Sequence, residues 1–412
     1  MNIDFVYPTY VRDGNEGITI NIASLRQALE RRGIGVKLGS PGVDLADLNR
    51  KWTHVTKGLA TLPHLIGALS DGGADLVHYH MAMPSQSLLA RLAQVLVPGS
   101  SKLLIGQLWN SFIETEELDL CHSRSEAIAH RLLNNAFLAR LGLARFHALV
   151  VASEYQERQL RRIGYGGPIH LIPNGVDLQR FRPPVGQERA AERARLGLPA
   201  DGLIVTYYGH LTPWKGVLHL VRAFGVVAER VPAATLVIAR TGYGTEEGLL
   251  RREIAGLGLD RRVVFLGTVD PPALLRASDV GIVPAIATVG TAVYANVLLE
   301  MLASGLPTIA TSIATTAEVV THGRNGLLVP PAQSATLGAA LAYLLKDETL
   351  RLAMGQEARR TAVQRFDWET IADHLTEVYA GERERVLDAA KGRRASAHAT
   401  ADAPRVSALA GS

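Results

Sequence analysis

Short apolar runs alternate with segments of helical periodicity along most of the chain. The first run covers residues 3–7, and residues 18–32 follow with Leu25 and Leu29 on one face of a predicted helix. Another apolar run at residues 36–38 completes a strand–helix–strand unit. Because this unit recurs, the pattern predicts an α/β protein whose parallel sheets are covered by helices on both faces.

A Pro-rich junction at residues 181–184 separates two such series of strands. The first series continues with apolar runs at residues 76–80, 102–105 and 148–151, and the second begins at residues 203–208. Two Rossmann-like domains joined in this way leave a cleft between the carboxyl ends of their strands, where the ligands of such folds bind. The ligand site is therefore expected in this cleft.

Composition argues against several other classes of protein. The formal charge of +4 over 412 residues is small and the basic residues are scattered, so a nucleic-acid binder is not expected. A single cysteine, Cys121, leaves no intrachain disulfide and no multi-cysteine metal site. The sequence shows neither a signal-peptide pattern nor an apolar window of about 18 residues, which makes cytoplasmic residence the expectation.

Four segments carry a resemblance to one enzyme family. They lie at residues 151–177 (VASEYQERQL, then GY and IPNGVD), 209–216 (GHLTPWKG), 296–307 (NVLLEMLASGLP) and 366–369 (FDWE). In this order they resemble motifs of the retaining GT-B glycosyltransferases of family 4, and the resemblance runs from residue 1 to about residue 385. It implies two Rossmann-like parallel-sheet domains that face each other across a cleft.

The resemblance also divides the chain into four parts. Residues 1–178 are expected to form an acceptor-side domain, and residues 179–366 a domain that binds the nucleotide sugar. Residues 367–387 are expected to form a helix that packs back on the first domain. Residues 388–412 are expected to be a disordered tail, because their composition turns to Ala, Ser, Arg and Gly.

The resemblance implies a retaining glycosyltransferase reaction. The donor would be a UDP- or GDP-sugar, including a bulky or unusual one, and the acceptor a hydroxyl or thiol of a small molecule. The nucleotide sugar is then a co-substrate, and neither a cofactor nor a metal ion is expected. Composition and departures from the family motifs favour a place in specialised metabolism, such as antibiotic biosynthesis.

Three alternatives stay open beside this interpretation. The same fold serves phosphorylases and synthases. Alanine at position 292, where the family has glutamate, also fits a sugar-nucleotide-binding protein that has lost turnover. Arg140 and Arg145 on a Leu-rich predicted helix fit a lipid or polysaccharide acceptor at a membrane surface, although we favour a buried helix with solvated arginines.

The resemblance assigns donor-binding roles to residues at predicted strand ends. Lys215 matches a lysine that grips the donor diphosphate; it is a catalytic candidate, because a fixed cation there stabilises the charge that the leaving nucleotide gains. His210 stands where the family has arginine, and Arg240, where the family has glycine, is a candidate to restore that charge. A solvated loop side chain is the alternative for both. Gly17 belongs to a glycine-bearing loop whose backbone approaches the donor phosphate.

A predicted helix after the fourth strand of the second series carries the other donor contacts. Glu300 matches a glutamate that accepts hydrogen bonds from the ribose hydroxyls. Tyr294, Ala295 and Asn296 lie at the amino end of this helix, where backbone N–H groups and the helix dipole face phosphate. Ala292 replaces the glutamate that contacts the donor sugar, which predicts a pocket with room for a substituted sugar.

The acceptor side of the cleft is less well marked. His80, at the end of an apolar run, matches a position near the acceptor and is the second catalytic candidate, with a structural histidine as the alternative. After the next strand the family often has a histidine, whereas this chain has Gln107, Trp109 and Asn110, which we assign to the acceptor side. No general base is evident, which fits transfer in which the departing phosphate takes the acceptor proton.

Overall fold

The fold consists of two parallel sheets, each covered by helices. It is known from a computed structural model that describes residues 1–7, 17–40, 59–110, 135–244, 246–288 and 295–401. Within these ranges each sheet has six parallel strands, and buried apolar clusters fill both of its faces. The predicted α/β class with two Rossmann-like domains is therefore confirmed. Cys121 lies outside the described residues.

The first sheet forms the core of the amino-terminal half. Its strands are β1 Asn2–Val6, β2 Gly35–Gly39, β3 Leu76–Met81, β4 Leu103–Leu108, β5 Ala148–Val151 and β6 Ile169–Leu171. The helices described between them are α1 Gly17–Arg31, α2 Leu62–Ser70, α3 Ser87–Leu96, α4 Ala136–Leu143 and α5 Glu154–Arg162. The strand order is β2-β1-β3-β4-β5-β6. Because the order reverses at β1, this domain has its crevice at the carboxyl ends of β1 and β3.

The second sheet repeats this plan. Its strands are β7 Leu203–Leu211, β8 Ala234–Gly244, β9 Val263–Leu266, β10 Val280–Val283, β11 Thr308–Thr311 and β12 Gly326–Val329. The accompanying helices are α6 Glu188–Arg195, α7 Val217–Arg230, α8 Glu247–Gly256, α9 Pro271–Ala277, α10 Asn296–Ala303, α11 Ser334–Lys346 and α12 Glu348–Arg365. The strand order β12-β11-β10-β7-β8-β9 reverses at β7, so the crevice lies at the carboxyl ends of β7 and β10.

The last helix, α13 (Trp368–Ala401), leaves the second domain and packs on the first. Phe366 lies just before this helix, and its carbonyl oxygen accepts a hydrogen bond from the Val176 N–H at 2.7 Å. Arg31, the last residue of α1, and Arg32, which follows it, form ion pairs with Glu369. The apolar face of α13 enters the core beside α1 with Trp368, Ile371, Ala372, Leu375 and Tyr379.

The predicted disordered tail is wrong for part of its length. Helix α13 continues to Ala401, whereas the sequence predicts its end at residue 387. Residues 388–401 are rich in Ala with Lys and Arg, which have high intrinsic helix propensity, and extending an existing helix needs no new nucleus. A pair between Lys391 and Asp388 at 2.9 Å supports this extension. Residues 402–412 lie outside the described residues.

One helix of the first domain is capped by a carboxylate of the second. The N–H groups of Glu154 and Tyr155, at the start of α5, donate to Glu318 at 2.9 and 2.8 Å. Arg158, one turn further along, lies 3.6 Å from the same carboxylate. A negative charge is stabilising at the partly positive amino end of a helix, so this contact holds α5 against the second domain.

Helix α4 carries part of the Leu-rich segment whose arginines fit a membrane surface as an alternative interpretation of the sequence. It buries Ala139 and Leu143 against the first sheet and exposes Arg140. None of the helices in the described ranges combines the length and the apolar character that crossing a bilayer requires.

Candidate active site

The turn that carries Lys215 is fixed between two strand ends. After β7 a single 3-10 turn leads to Gly216, whose φ of +69° is left-handed and favours glycine. A Cβ added at Gly216 would lie 2.0 Å from the carbonyl oxygen of Pro284, in the loop after β10. In the same loop the Ile286 N–H donates to the Trp214 carbonyl oxygen at 2.8 Å. The Lys215 turn is therefore locked onto the neighbouring loop, at the crevice of the second domain.

Lys215 is partly buried, and its ammonium group is largely withdrawn from water. Burial lowers the pKa of its ammonium group to about 8. Among the described residues, no carboxylate or carbonyl oxygen lies within hydrogen-bonding distance of that group. Removing a cation from water without a counter-charge is unfavourable, so the site gains from an anionic ligand.

Two other predicted donor groups lie beside this turn. Burial and then the charge of Lys215 lower the pKa of His210 to about 4, so its imidazole is neutral at pH 7. The His210 carbonyl oxygen accepts a 2.6 Å hydrogen bond from the Tyr207 hydroxyl. Arg240 is exposed on β8, where it pairs in register with Gly209 of β7. The structure thus brings His210, Lys215 and Arg240 to one edge of the sheet.

Glu300 lies in the second turn of α10 and faces β7. The Tyr208 hydroxyl donates to its carboxylate. Burial raises the pKa of Glu300 to about 7, against the opposing effects of this hydrogen bond and of the Arg180 charge. Sequence reasoning missed Tyr208, although its place directly before the Gly209 motif was a signal.

The amino end of α10 is tied to the first domain. The Asn296 side-chain oxygen accepts hydrogen bonds from the amides of Asn21 and Asn174 at 3.1 and 3.0 Å. Asn21 is in α1, one turn after the predicted phosphate-loop residue Gly17. The structure therefore places Gly17 and Asn296, both predicted to contact the donor, at helix ends joined by Asn21. Asn21 was missed, although a polar residue at a core position of a helix was a signal.

The rest of the α10 amino end is only partly described. Ala295 precedes the helix, and its carbonyl oxygen accepts the Leu298 N–H at 2.8 Å, as the residue before a helix should. Tyr294 and Ala292 lie outside the described residues, so their donor and sugar-pocket roles stay predictions. Across the described ranges, no three His, Cys, Asp or Glu side chains are grouped as metal ligands would be.

The acceptor-side candidates lie at the carboxyl ends of β3 and β4, largely inside the first domain. His80 is fully buried, pairs in register with Gln107, and accepts a 3.2 Å hydrogen bond from the Trp109 indole N–H. Burial and the neighbouring His78 hold the pKa of His80 well below its usual range, so its ring is neutral. Gln107 and Trp109 are buried as well, and only Asn110 among the four is partly exposed. A catalytic role for His80 stays a prediction.

Two family models match most of the chain. The model described as Glycosyltransferase Family 4 matches residues 16–180, and the model described as Glycosyl transferases group 1 matches residues 188–361. The first match falls on the domain of the first sheet. The second falls on the domain that holds Lys215 and Glu300.

Curated relatives are similar over part of their length. A D-inositol 3-phosphate glycosyltransferase of Jonesia denitrificans is 32% identical over 250 residues, which are 58% of this chain and 57% of the relative. Another, from Corynebacterium urealyticum, is 34% identical over 221 residues, which are 51% of this chain and 50% of the relative. The chain thus spans about half the length of these relatives.

Solved structures share the fold over nearly the whole chain. The Anabaena protein HepE in complex with UDP has a TM-score of 0.69 and 20% identity, covering 92% of this chain and 100% of that one. A sucrose-phosphate synthase from Thermosynechococcus elongatus has a TM-score of 0.71 and 23% identity, covering 94% and 99%. This likeness confirms the GT-B arrangement of two facing sheet domains.

Proposed function

We propose that the chain, whose two domains match glycosyltransferase family models, is a glycosyltransferase of group 1 that transfers a sugar from a nucleoside diphosphate donor to a small-molecule acceptor. The observation that carries the proposal is Lys215. Its desolvated ammonium group stands at the crevice of the second domain, where α/β folds bind ligands. A diphosphate bound there would supply the negative charge that this cation otherwise lacks among the described residues.

The proposed chemistry follows from where charge develops. As the bond between the sugar and the diphosphate breaks, the leaving oxygen gains negative charge, and a fixed cation lowers the energy of that state more than that of the bound donor. Lys215 and the partly positive amino end of α10 would share this task. The departing phosphate would then take the proton of the acceptor hydroxyl, and the sugar would keep its configuration. The proposal requires no divalent cation.

Uridine is the proposed base of the donor. HepE, which shares the fold, binds UDP and UDP-glucose. The Glu300 carboxylate accepts a hydrogen bond from the Tyr208 hydroxyl. Because a carboxylate can accept several hydrogen bonds, it would also accept those of the ribose hydroxyls. For the acceptor we propose a hydroxyl of a small polar molecule. D-inositol 3-phosphate is the first compound to test, because it appears in the names of the relatives.

The proposal is tested by incubating the purified protein with UDP-, GDP- and dTDP-sugars, with acceptors, and with EDTA. Transfer of sugar or hydrolysis of a donor supports it. A reaction that depends on inorganic phosphate indicates a phosphorylase instead. Binding without turnover, seen as a rise of melting temperature with nucleotide, indicates a binding protein.

Substituting glutamine for Glu300 should weaken UDP binding about 10-fold at pH 8, because a neutral amide is the poorer acceptor for a ribose hydroxyl. The wild-type affinity should increase from pH 6 to pH 8, since the carboxyl group with its pKa of about 7 ionises in this range. The affinity of the Glu300→Gln variant should not show this increase between pH 6 and pH 8. Calorimetric titration at both pH values measures the difference.

The same substitution should also change stability with pH. The folded pKa of Glu300, about 7, lies above the ordinary value of 4.5, so the folded state holds a proton that the unfolded state releases between these values. Wild-type stability therefore falls as the pH rises through this window, and Glu300→Gln should not share that fall. As a control, Glu357→Gln, in an ion pair with Arg324 on the same domain, should leave UDP affinity unchanged. Equal affinities of Glu300→Gln and wild type at pH 8 would contradict the ribose role.

A further inference from the structure

Three asparagines from distant parts of the chain form one cluster between the domains, here called the amide bridge. Asn21 comes from α1, Asn174 from the segment after β6, and Asn296 from the first position of α10. The Asn296 side-chain oxygen accepts from both partners at 3.1 and 3.0 Å, and its side-chain NH₂ donates back to the Asn21 oxygen at 3.2 Å. Asn21 and Asn174 are each only 2% exposed.

The amide bridge depends on the domains lying together. Asn21 and Asn174 belong to the half of the chain that builds the first sheet, whereas Asn296 belongs to the second. The two donors use both acceptor positions of the Asn296 oxygen, and each bond crosses the cleft. Separating the domains would expose these amides to water, and moving α10 alone would leave buried groups unpaired, which is unfavourable.

The bridge also fixes the direction of the α10 amino end. Asn296 is the first residue of this helix, so the bonds to its side chain lie directly at the partly positive amino end of the helix. Asn21 lies in the second turn of α1 and therefore holds the amino ends of α1 and α10 towards each other. Two positive helix ends at one place make a better anion site than either alone.

We propose that Asn21 and Asn174 are positioning residues that assemble the donor-diphosphate site by holding the amino end of α10 through Asn296. The proposal rests on the proposed function, since the anion is the diphosphate of the donor. It implies that the site is complete only in the closed arrangement of the domains. A donor that binds the closed arrangement preferentially shifts the protein towards it. Loss of the bridge lowers the fraction of protein that is closed, and the apparent affinity for the donor falls in the same proportion.

The test uses Asn21→Ala and Asn174→Ala in the full chain, with UDP as the probe. Each variant should bind UDP about 10-fold more weakly than wild type, the effect of one or two lost hydrogen bonds. The KM for the UDP-sugar should rise by a similar factor, while kcat at saturating donor stays within about threefold, because saturating donor restores closure. X-ray scattering without UDP should show a larger radius of gyration for both variants than for wild type.

Asn325→Ala is the matched control. Asn325 is also 2% exposed, and its side chain bonds only to groups of the second domain, among them the Val319 carbonyl oxygen at 3.1 Å. Its replacement should lower the melting temperature but leave UDP affinity and scattering dimensions unchanged. If the asparagine variants lose stability as this control does and bind UDP with wild-type affinity, the bridge is structural only and the proposal is overturned. If one of the two does not fold, the other tests the same acceptor oxygen.

Failure of the proposed function would look different. In that case wild type itself would bind no UDP, GDP or dTDP and would transfer no sugar. The scattering comparison would still decide the amide bridge. An unchanged radius of gyration in both Asn21→Ala and Asn174→Ala would overturn it, and expansion would support it as a device that closes the domains.

Discussion

Replacing Lys215 with alanine should lower kcat about 100-fold or more, the effect of removing one preorganised charge contact from a transition state. The ammonium group is held by a locked turn and has no anionic partner among the described residues, so its interaction with a diphosphate is formed without rearrangement. Steady-state rates with the active donor measure the loss. A variant with the wild-type kcat would remove Lys215 from the reaction.

The same substitution, Lys215→Ala, should not lower the stability of the fold, although it lowers activity. The pKa of Lys215 in the folded protein, about 8, lies below its ordinary value of 10.5. At pH 7 the ammonium group is therefore charged in an environment that destabilises the charge. This loss of folding stability diminishes only as the pH rises through 8 and the group is deprotonated. The variant should therefore melt no lower than wild type at pH 7. Loss of activity together with loss of fold would point to a structural lysine instead. Lys346→Ala, exposed at the end of α11, is the control and should change neither quantity.

The second large effect is expected for Gly216→Ala. The added methyl group would lie 2.0 Å from the Pro284 carbonyl oxygen, and the φ of +69° adds backbone strain. Together these should cost about 2–4 kcal/mol, a large part of the 5–15 kcal/mol that holds a typical domain folded. Activity should fall as well, because the loop can accommodate the methyl only by displacing Lys215. Urea unfolding of the purified variant measures the loss.

Gly197→Ala is the matched control for this substitution. Its φ of +66° is nearly the same, but an added Cβ meets no atom within 4 Å. It should therefore show the backbone strain alone, about 1 kcal/mol, with activity retained. Equal losses of stability in the two variants would mean that the contact with Pro284 relaxes freely, and the locked turn would no longer explain the position of Lys215.

The fold was predictable because its signals are local. Alternating runs and helical periodicity need only neighbouring residues, and they gave both sheet domains correctly. The extent of α13 was not predictable from composition, since the Ala- and Arg-rich segment that suggests disorder also propagates a helix once Trp368 and Tyr379 have anchored it.

The candidate site was predictable only where one residue type carries the chemistry. Lys215 and Glu300 follow motifs, and the structure brings them to the same crevice. Contacts between residues that are far apart in the sequence were not predicted. Tyr208 and Glu300 are 92 residues apart, and Asn21 and Asn296 are 275 apart, so no spacing along the chain reveals them. His80 shows the converse: its match to a family position suggests chemistry, whereas the fold buries its ring against Phe5, His78 and Trp109.

The return of α13 to the first domain has a consequence for biosynthesis. The core of the first sheet includes Trp368 through Tyr379, whereas the apolar clusters of the second sheet are complete by Phe366. On the ribosome the amino-terminal half therefore emerges without part of its own interior, including the hydroxyl group that pairs with His78 at 2.6 Å. The domain encoded second is the first that can close its core, and the domain encoded first must keep apolar surface uncovered until the last helix has been translated.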